Sequence, residues 1–163
     1  MLKQLLPEDN AREHPPPDLS SDALYFRYHL VEFVTEHLID CSRAFNGDLQ
    51  EVLVLAVVGQ VFMHFRRQAG VDPASITRYI AASRIADITG IPRQTVRRKL
   101  ASLGKRGWVE QDETAGWRIV IGVDGLGAAH RPLAGLDARG IQRGIRLASA
   151  YKERLQRSAS PVK

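Results

Sequence analysis

The chain has 163 residues, 44% of them hydrophobic and 25% charged, with a formal net charge of +5 and a pI near 9.7. That is the size of one domain with appendages, and its longest apolar run, residues 52–59, falls well short of the roughly 18 residues a membrane span needs. The single cysteine, Cys41, excludes an intramolecular disulfide framework and suits a reducing compartment, and residues 1–17 lack the apolar core and cleavage site of a secretory signal, so a soluble, cytoplasmic protein is expected.

Residues 1–17 end in "HPPP", which blocks helix and sheet alike and predicts an extended arm. "DLSSD" then offers several N-cap residues for a helix over about 21–45. Leu24, Tyr28, Val31, Val34 or Thr35, Leu38, Cys41 and Phe45 recur at helical spacing and form an apolar stripe. Gly47 in "NGD" closes this helix, and Asp48 with Glu51 three residues on resembles a capping box opening a second helix to about 68. From 52 to 58 that helix is apolar nearly all round, so it must be covered on several sides, by this chain or a second copy.

"GVDP" ends the second helix, and residues 74–82 carry no clear signal. A short helix follows over 83–89 with Ser83 as N-cap, and Gly90 terminates it. Pro92 lacks an N–H that a first helical turn does not use, and it keeps Ile91 out of the helical region, so a new helix over 92–104 starts after a very tight turn. Gly104 is the expected stop. Two β-favouring runs, 108–111 and 117–121, flank "DETAG", whose Gly116 is free to take positive φ in a hairpin loop. A Gly-rich connection then leads to a last helix from 136 or 137 to 157. The expected division is an arm (1–17), N-terminal helices for core and dimerisation (18–69), a helix–turn–helix and hairpin region (70–123), and a connection, helix and tail (124–163).

Between Ser83 and Trp108 stand seven basic residues, Arg84, Arg93, Arg97, Arg98, Lys99, Lys105 and Arg106, against Asp87 alone. Such crowding is either a solvated face or a surface for a polyanion. In the helix over 92–104, Val96, Leu100 and Leu103 share one face, while Gln94, Arg98, Ala101 and Ser102 lie opposite, with Arg97 beside them. The small Ala101 and Ser102 permit close approach, and the first turn with Arg93 and Gln94 offers unpaired N–H groups to an anion. Ile85, Ala86 and Ile88 on the preceding helix provide the packing for a helix-turn-helix.

The stretch "SRIADITGIPRQTVRRKLASLGKRGWVEQDETAGWRIV" resembles the DNA-binding core of winged-helix bacterial transcription regulators, through Ile85-Ala86, Gly90-Ile91, Thr95-Val96, Leu100, Leu103, Gly107 and Trp108-Val109. The flanking helices and overall length are similar to the MarR (multiple antibiotic resistance regulator) type. The resemblance implies a mainly α fold: a winged helix-turn-helix with a two-stranded β-hairpin wing and N- and C-terminal dimerisation helices. It implies double-stranded DNA as partner, a homodimer, and room for a small-molecule effector. By position it casts Arg93, Gln94, Thr95, Arg97 and Arg98 as groove-facing and Arg118 as a wing contact. Lys99, Lys105 and Arg106 are cast as phosphate neutralisers. Glu110, Asp112 and Glu113 place acid on the wing, where it repels phosphate. The other reading is a winged-helix protein-interaction module that never touches DNA.

Other constellations are bland. His37 and Cys41 stand four apart with His64 on the next helix, but a third and fourth zinc ligand are not evident, and neither metal nor cofactor is expected. Tyr25, Phe26, Tyr28 and Phe33 read as helix-packing aromatics before they read as a ligand cavity. "GVDGLGAAH" lacks the spacing and context of a phosphate-binding loop. No set of side chains has the context for nucleophilic catalysis, so no enzyme is expected.

Overall fold

The computed structural model describes residues 22–66, 79–112 and 115–159. The expected arm, the N-cap residues before Asp22, residues 67–78 and Glu113 lie outside them. The described elements are α1 (Asp22–Ala44), α2 (Leu49–Arg66), α3 (Ala82–Thr89), α4 (Arg93–Lys105), β1 (Val109–Asp112), β2 (Gly116–Ile119) and α5 (His130–Ala159). This is the mainly α winged helix-turn-helix architecture, with β1 and β2 an antiparallel pair registered Glu110↔Arg118 and Gln111↔Trp117.

The core forms where α2 lies against the helix-turn-helix. Val54 and Val58 on α2, Ile85 on α3, Val96, Leu100 and Leu103 on α4, and Ile119 on β2 are all buried in one cluster with Phe45. Burying each such aliphatic side chain contributes about 2 kcal/mol, so α2 is the scaffold on which α4 is seated. Asp48 opens α2 as the spacing predicts: its Oδ1 accepts a hydrogen bond from the Glu51 N–H at 3.0 Å. Glu51 does not complete a capping box. Its carboxylate turns to α4 instead.

Several expected boundaries move, each for a local reason. Ser83 is not the cap of α3; the N-cap is Ala81 in extended conformation, with no side-chain bond. Gly104 does not stop α4, which runs on to Lys105. Gly107 stops it instead, at φ +70°: its N–H bonds the Gly104 carbonyl at 2.9 Å and the Trp108 N–H bonds the Leu103 carbonyl at 3.1 Å. That pair of bonds is a Schellman ending. The strands also shift from the expected runs, to Val109–Asp112 and Gly116–Ile119. Ile80, in the stretch without a clear signal, adds a strand-like bridge to Trp117 through N–H···O bonds of 2.8 and 2.9 Å.

The last helix starts at His130, ahead of the expected start at 136 or 137. Pro132 falls in its first turn, where a missing N–H costs nothing, so the "HRPLAG" sequence extends the helix rather than delaying it. α5 packs antiparallel on α1 through Phe26 against Tyr151, with ring centroids 4.9 Å apart. Arg143 of α5 donates from Nε to Glu36 and from Nη2 to Asp40, at 2.7 and 2.8 Å, while Arg139 Nε reaches Asp40 at 2.7 Å. The apolar stripe of α1 divides. Cys41 and Phe45 enter the core, but Leu24, Tyr28, Val31, Val34 and Leu38 stay exposed.

Candidate nucleic-acid interface

α3, the turn Gly90-Ile91-Pro92 and α4 make the helix-turn-helix. Gly90 takes φ +70° and its N–H bonds the Ala86 carbonyl, which ends α3 cleanly. Thr89 holds the corner: its Oγ1 donates to the Ile85 carbonyl at 2.7 Å and accepts from the Ile91 N–H at 3.2 Å. Ile91 is buried beneath the turn. Pro92 caps α4, and its carbonyl receives the Val96 N–H at 3.0 Å. The N–H groups of the first turn are therefore free to meet an anion.

The two faces of α4 separate as the spacing predicts. Val96, Leu100 and Leu103 are fully buried. Arg93, Gln94, Arg97, Arg98, Ala101 and Lys105 are exposed, and Thr95 is half-buried. Gln94, Arg98, Ala101 and Lys105 fall at four-, three- and four-residue steps and make one outward stripe. Among the described residues, no ion pair or hydrogen bond occupies the side chains of Arg93, Gln94, Arg97, Arg98 or Lys105.

Three expected DNA contacts have other partners. Lys99 is a short-range ion-pair partner of Asp48, with its side chain only 14% exposed. Arg106 Nη2 lies 3.6 Å from Glu51, whose side chain is 4% exposed, and its guanidinium sits over the Phe45 and Trp108 rings at 5.6 and 5.0 Å. These two side chains tie α4 to the first turn of α2, where carboxylates also face the positive end of the helix dipole. Arg118 donates from Nε to Glu110 at 2.5 Å and covers the Tyr79 ring at 5.3 Å. Lys99 and Arg106, expected as phosphate neutralisers, and Arg118, expected as a wing contact, each already face a carboxylate.

The same geometry gives Glu110 and Asp112 of the wing their partners. Glu110 is the cross-strand partner of Arg118, and Asp112 Oδ1 accepts the Ala115 N–H at 2.8 Å to close the hairpin loop. Burial raises the Asp48 carboxyl, but the hydrogen bonds from Lys99 and the Glu51 N–H and the charges of Lys99 and Arg98 outweigh it. The net result is a pKa below the usual carboxylate value. The sequence carried no sign of these pairs. Lys99 and Asp48 stand 51 residues apart, and periodicity along one helix says nothing about what faces it.

Residues 77–113 match the IclR helix-turn-helix domain. This is a DNA-binding domain of transcriptional regulators, and the chain is accordingly a DNA-binding transcriptional regulator with a winged helix-turn-helix. The match spans α3, α4 and β1, and leaves α1, α2 and α5 outside it. Among curated proteins and solved structures, none matches the chain. No described helix is long and apolar enough to cross a membrane, and among the described residues no group of three or more His, Cys, Asp and Glu is placed to hold a metal ion.

Proposed function

We propose that the chain is a homodimeric regulator built on a MarR-like plan, in which α4 of each copy enters the major groove of one half-site. The observation that carries this reading is the outer face of α4. Gln94 and Arg98 are exposed and unpaired opposite a fully buried apolar face, with Arg97 on its flank and Arg93 in the first turn, both likewise exposed and unpaired. Arg matches guanine O6 and N7, and Gln matches adenine N6 and N7, each good bidentate pair contributing about 1–3 kcal/mol of discrimination. Thr95 reaches the same first turn, and Lys105 continues the stripe as a phosphate contact. Lys99, Arg106 and Arg118 act from behind, as struts that hold α4 and the wing in place.

The dimer is supported by what α1 and α5 leave uncovered. Leu24, Tyr28, Val31, Val34 and Leu38 follow one another at four- and three-residue steps and are 68, 62, 59, 42 and 47% exposed. On α5, Ile141 and Ile145 stand four residues apart and are exposed, as is Leu155 ten residues further on. A long apolar stripe on α1, with exposed Ile141 and Ile145 on the neighbouring α5, exceeds the scattered apolar exposure of an ordinary surface and matches the seam of a helical interface. DNA as the ligand supports a cytoplasmic location.

Light scattering during size-exclusion chromatography, followed by footprinting on selected genomic DNA, tests the reading. The expected outcome is a particle of twice the 18.2 kDa chain mass and protection of two half-sites about one helical turn, ~34 Å, apart. A monomer protecting a single short site contradicts the dimer. A chain inert to duplex DNA at low salt favours a protein-docking module instead.

A further inference from the structure

Beside the ion pairs that join α1 to α5 runs an open groove of about 550 Å³. Its charged lining is four guanidiniums, Arg43, Arg139, Arg143 and Arg146, against two carboxylates, Glu36 and Asp40. Ile39 and Ala138 supply apolar wall. This basic cluster is separate from the helix-turn-helix and has no part in seating α4.

Joining two helices does not need four arginines. Arg143 alone bridges both carboxylates, from Nε to Glu36 and from Nη2 to Asp40, and its side chain is only 13% exposed. Its remaining Nη1 is buried with no acceptor among the described residues, whereas buried donors ordinarily have one. Arg146 adds a long contact of 3.3 Å to Glu36, and Arg43 only approaches Asp40, at 3.9 Å. Arg139 uses its Nε on Asp40. The groove thus holds two positive charges in excess, on guanidinium forks with donors to spare. Such forks match carboxylate and phosphate oxygens in pairs.

We propose that this groove is a binding site for a small organic dianion, a dicarboxylate or a phosphate monoester. Two negative charges balance the excess, and a monoanion leaves half of it uncompensated. Duplex DNA is far too wide to enter a groove of this volume between two helices. Ile39 and Ala138 favour a ligand with carbon between or beside its charges over a bare inorganic ion. On the DNA-binding reading such a ligand is an effector. Binding is measured without DNA, so that the failure of either claim is distinguishable from failure of the other.

The test is titration calorimetry of the full chain at low, constant ionic strength with succinate, glucose 6-phosphate, inorganic phosphate and acetate. The expected result is saturable binding of succinate or glucose 6-phosphate at one site per chain, with acetate and inorganic phosphate at least about tenfold weaker. Which of the two organic ions binds more tightly identifies the carboxylate or phosphate source. The Arg43→Gln/Arg146→Gln variant leaves the Arg143 bridge intact and weakens binding by about tenfold. Glu36→Gln removes a competing carboxylate and tightens binding severalfold, a gain that loss of folding does not mimic. No saturable heat from either organic dianion up to about 10 mM overturns the proposal. So does binding that neither variant alters, or inorganic phosphate binding as tightly as both.

Discussion

Gly116 shows how much one position can carry. Its φ of +112° is a conformation that side chains rarely adopt, and a Cβ built there lies 2.7 Å from the Ile80 carbonyl oxygen. The Ile80 backbone crosses at that point to pair with Trp117, so the neighbour is main chain and does not step aside. Gly116→Ala is therefore expected to destabilise the fold by about 3 kcal/mol, from backbone strain and overlap together. Denaturant midpoints at unchanged m-value measure this, and a loss below about 0.5 kcal/mol contradicts it. Positive φ at Gly116 was legible from its place in the hairpin loop. The crossing strand was not, because residues 74–82 have neither alternation nor turn chemistry. A similar limit applied at the end of α4, where two glycines compete. Gly104 comes first, but Gly107 is followed by an apolar residue, Trp108, and completes the Schellman bonds. The second glycine wins on tertiary packing that the sequence does not print.

At the scale of elements, α1 and α5 are held by a compact charge clasp centred on Asp40. The hydrogen bonds from Arg139 and Arg143 lower its pKa from 3.8 to about 2. A carboxylate whose pKa falls on folding stabilises the folded state above its unfolded value, and the contribution disappears as pH drops toward the folded one. Thermal melts of wild type and Asp40→Asn are expected to differ at neutral pH and to converge between about pH 4 and pH 2. A gap that persists below pH 2 contradicts an electrostatic clasp. Arg139, Arg143 and Arg146 of α5 all reach the acids of α1. The sequence gives no sign of this pairing, since Asp40 and Arg139 stand 99 residues apart. The stripe on α1 was legible as a stripe. What covers it was not, and in one copy most of it faces outward.

Across the whole molecule, the basic charge divides into sets with different work. Lys99 and Arg106 are spent on Asp48 and Glu51, and seat α4 on α2. Arg118 is spent on Glu110 within the wing. Arg139, Arg143 and Arg146 hold α5 to α1. On α4, Arg93, Arg97, Arg98 and Lys105 have no ion pair among the described residues and remain open. The turn, the buried face and the outward arginines of the helix-turn-helix were readable because each depends on local spacing or on Gly and Pro conformation. The division of the remaining charge depends on which helices meet.

That division is the central claim, and salt-dependent affinity for duplex DNA tests it most directly. Each phosphate contact contributes about −0.9 to the slope of log K against log salt concentration. Replacing Arg97 and Arg98 together by Ala removes two charges from the groove-facing surface and is expected to make the slope shallower and to erase preference for the selected site. Replacing Lys99 and Arg106 is expected to lower thermal stability while the slope of the folded protein stays near wild type. A wild-type slope and site preference in the Arg97/Arg98 variant would contradict the account.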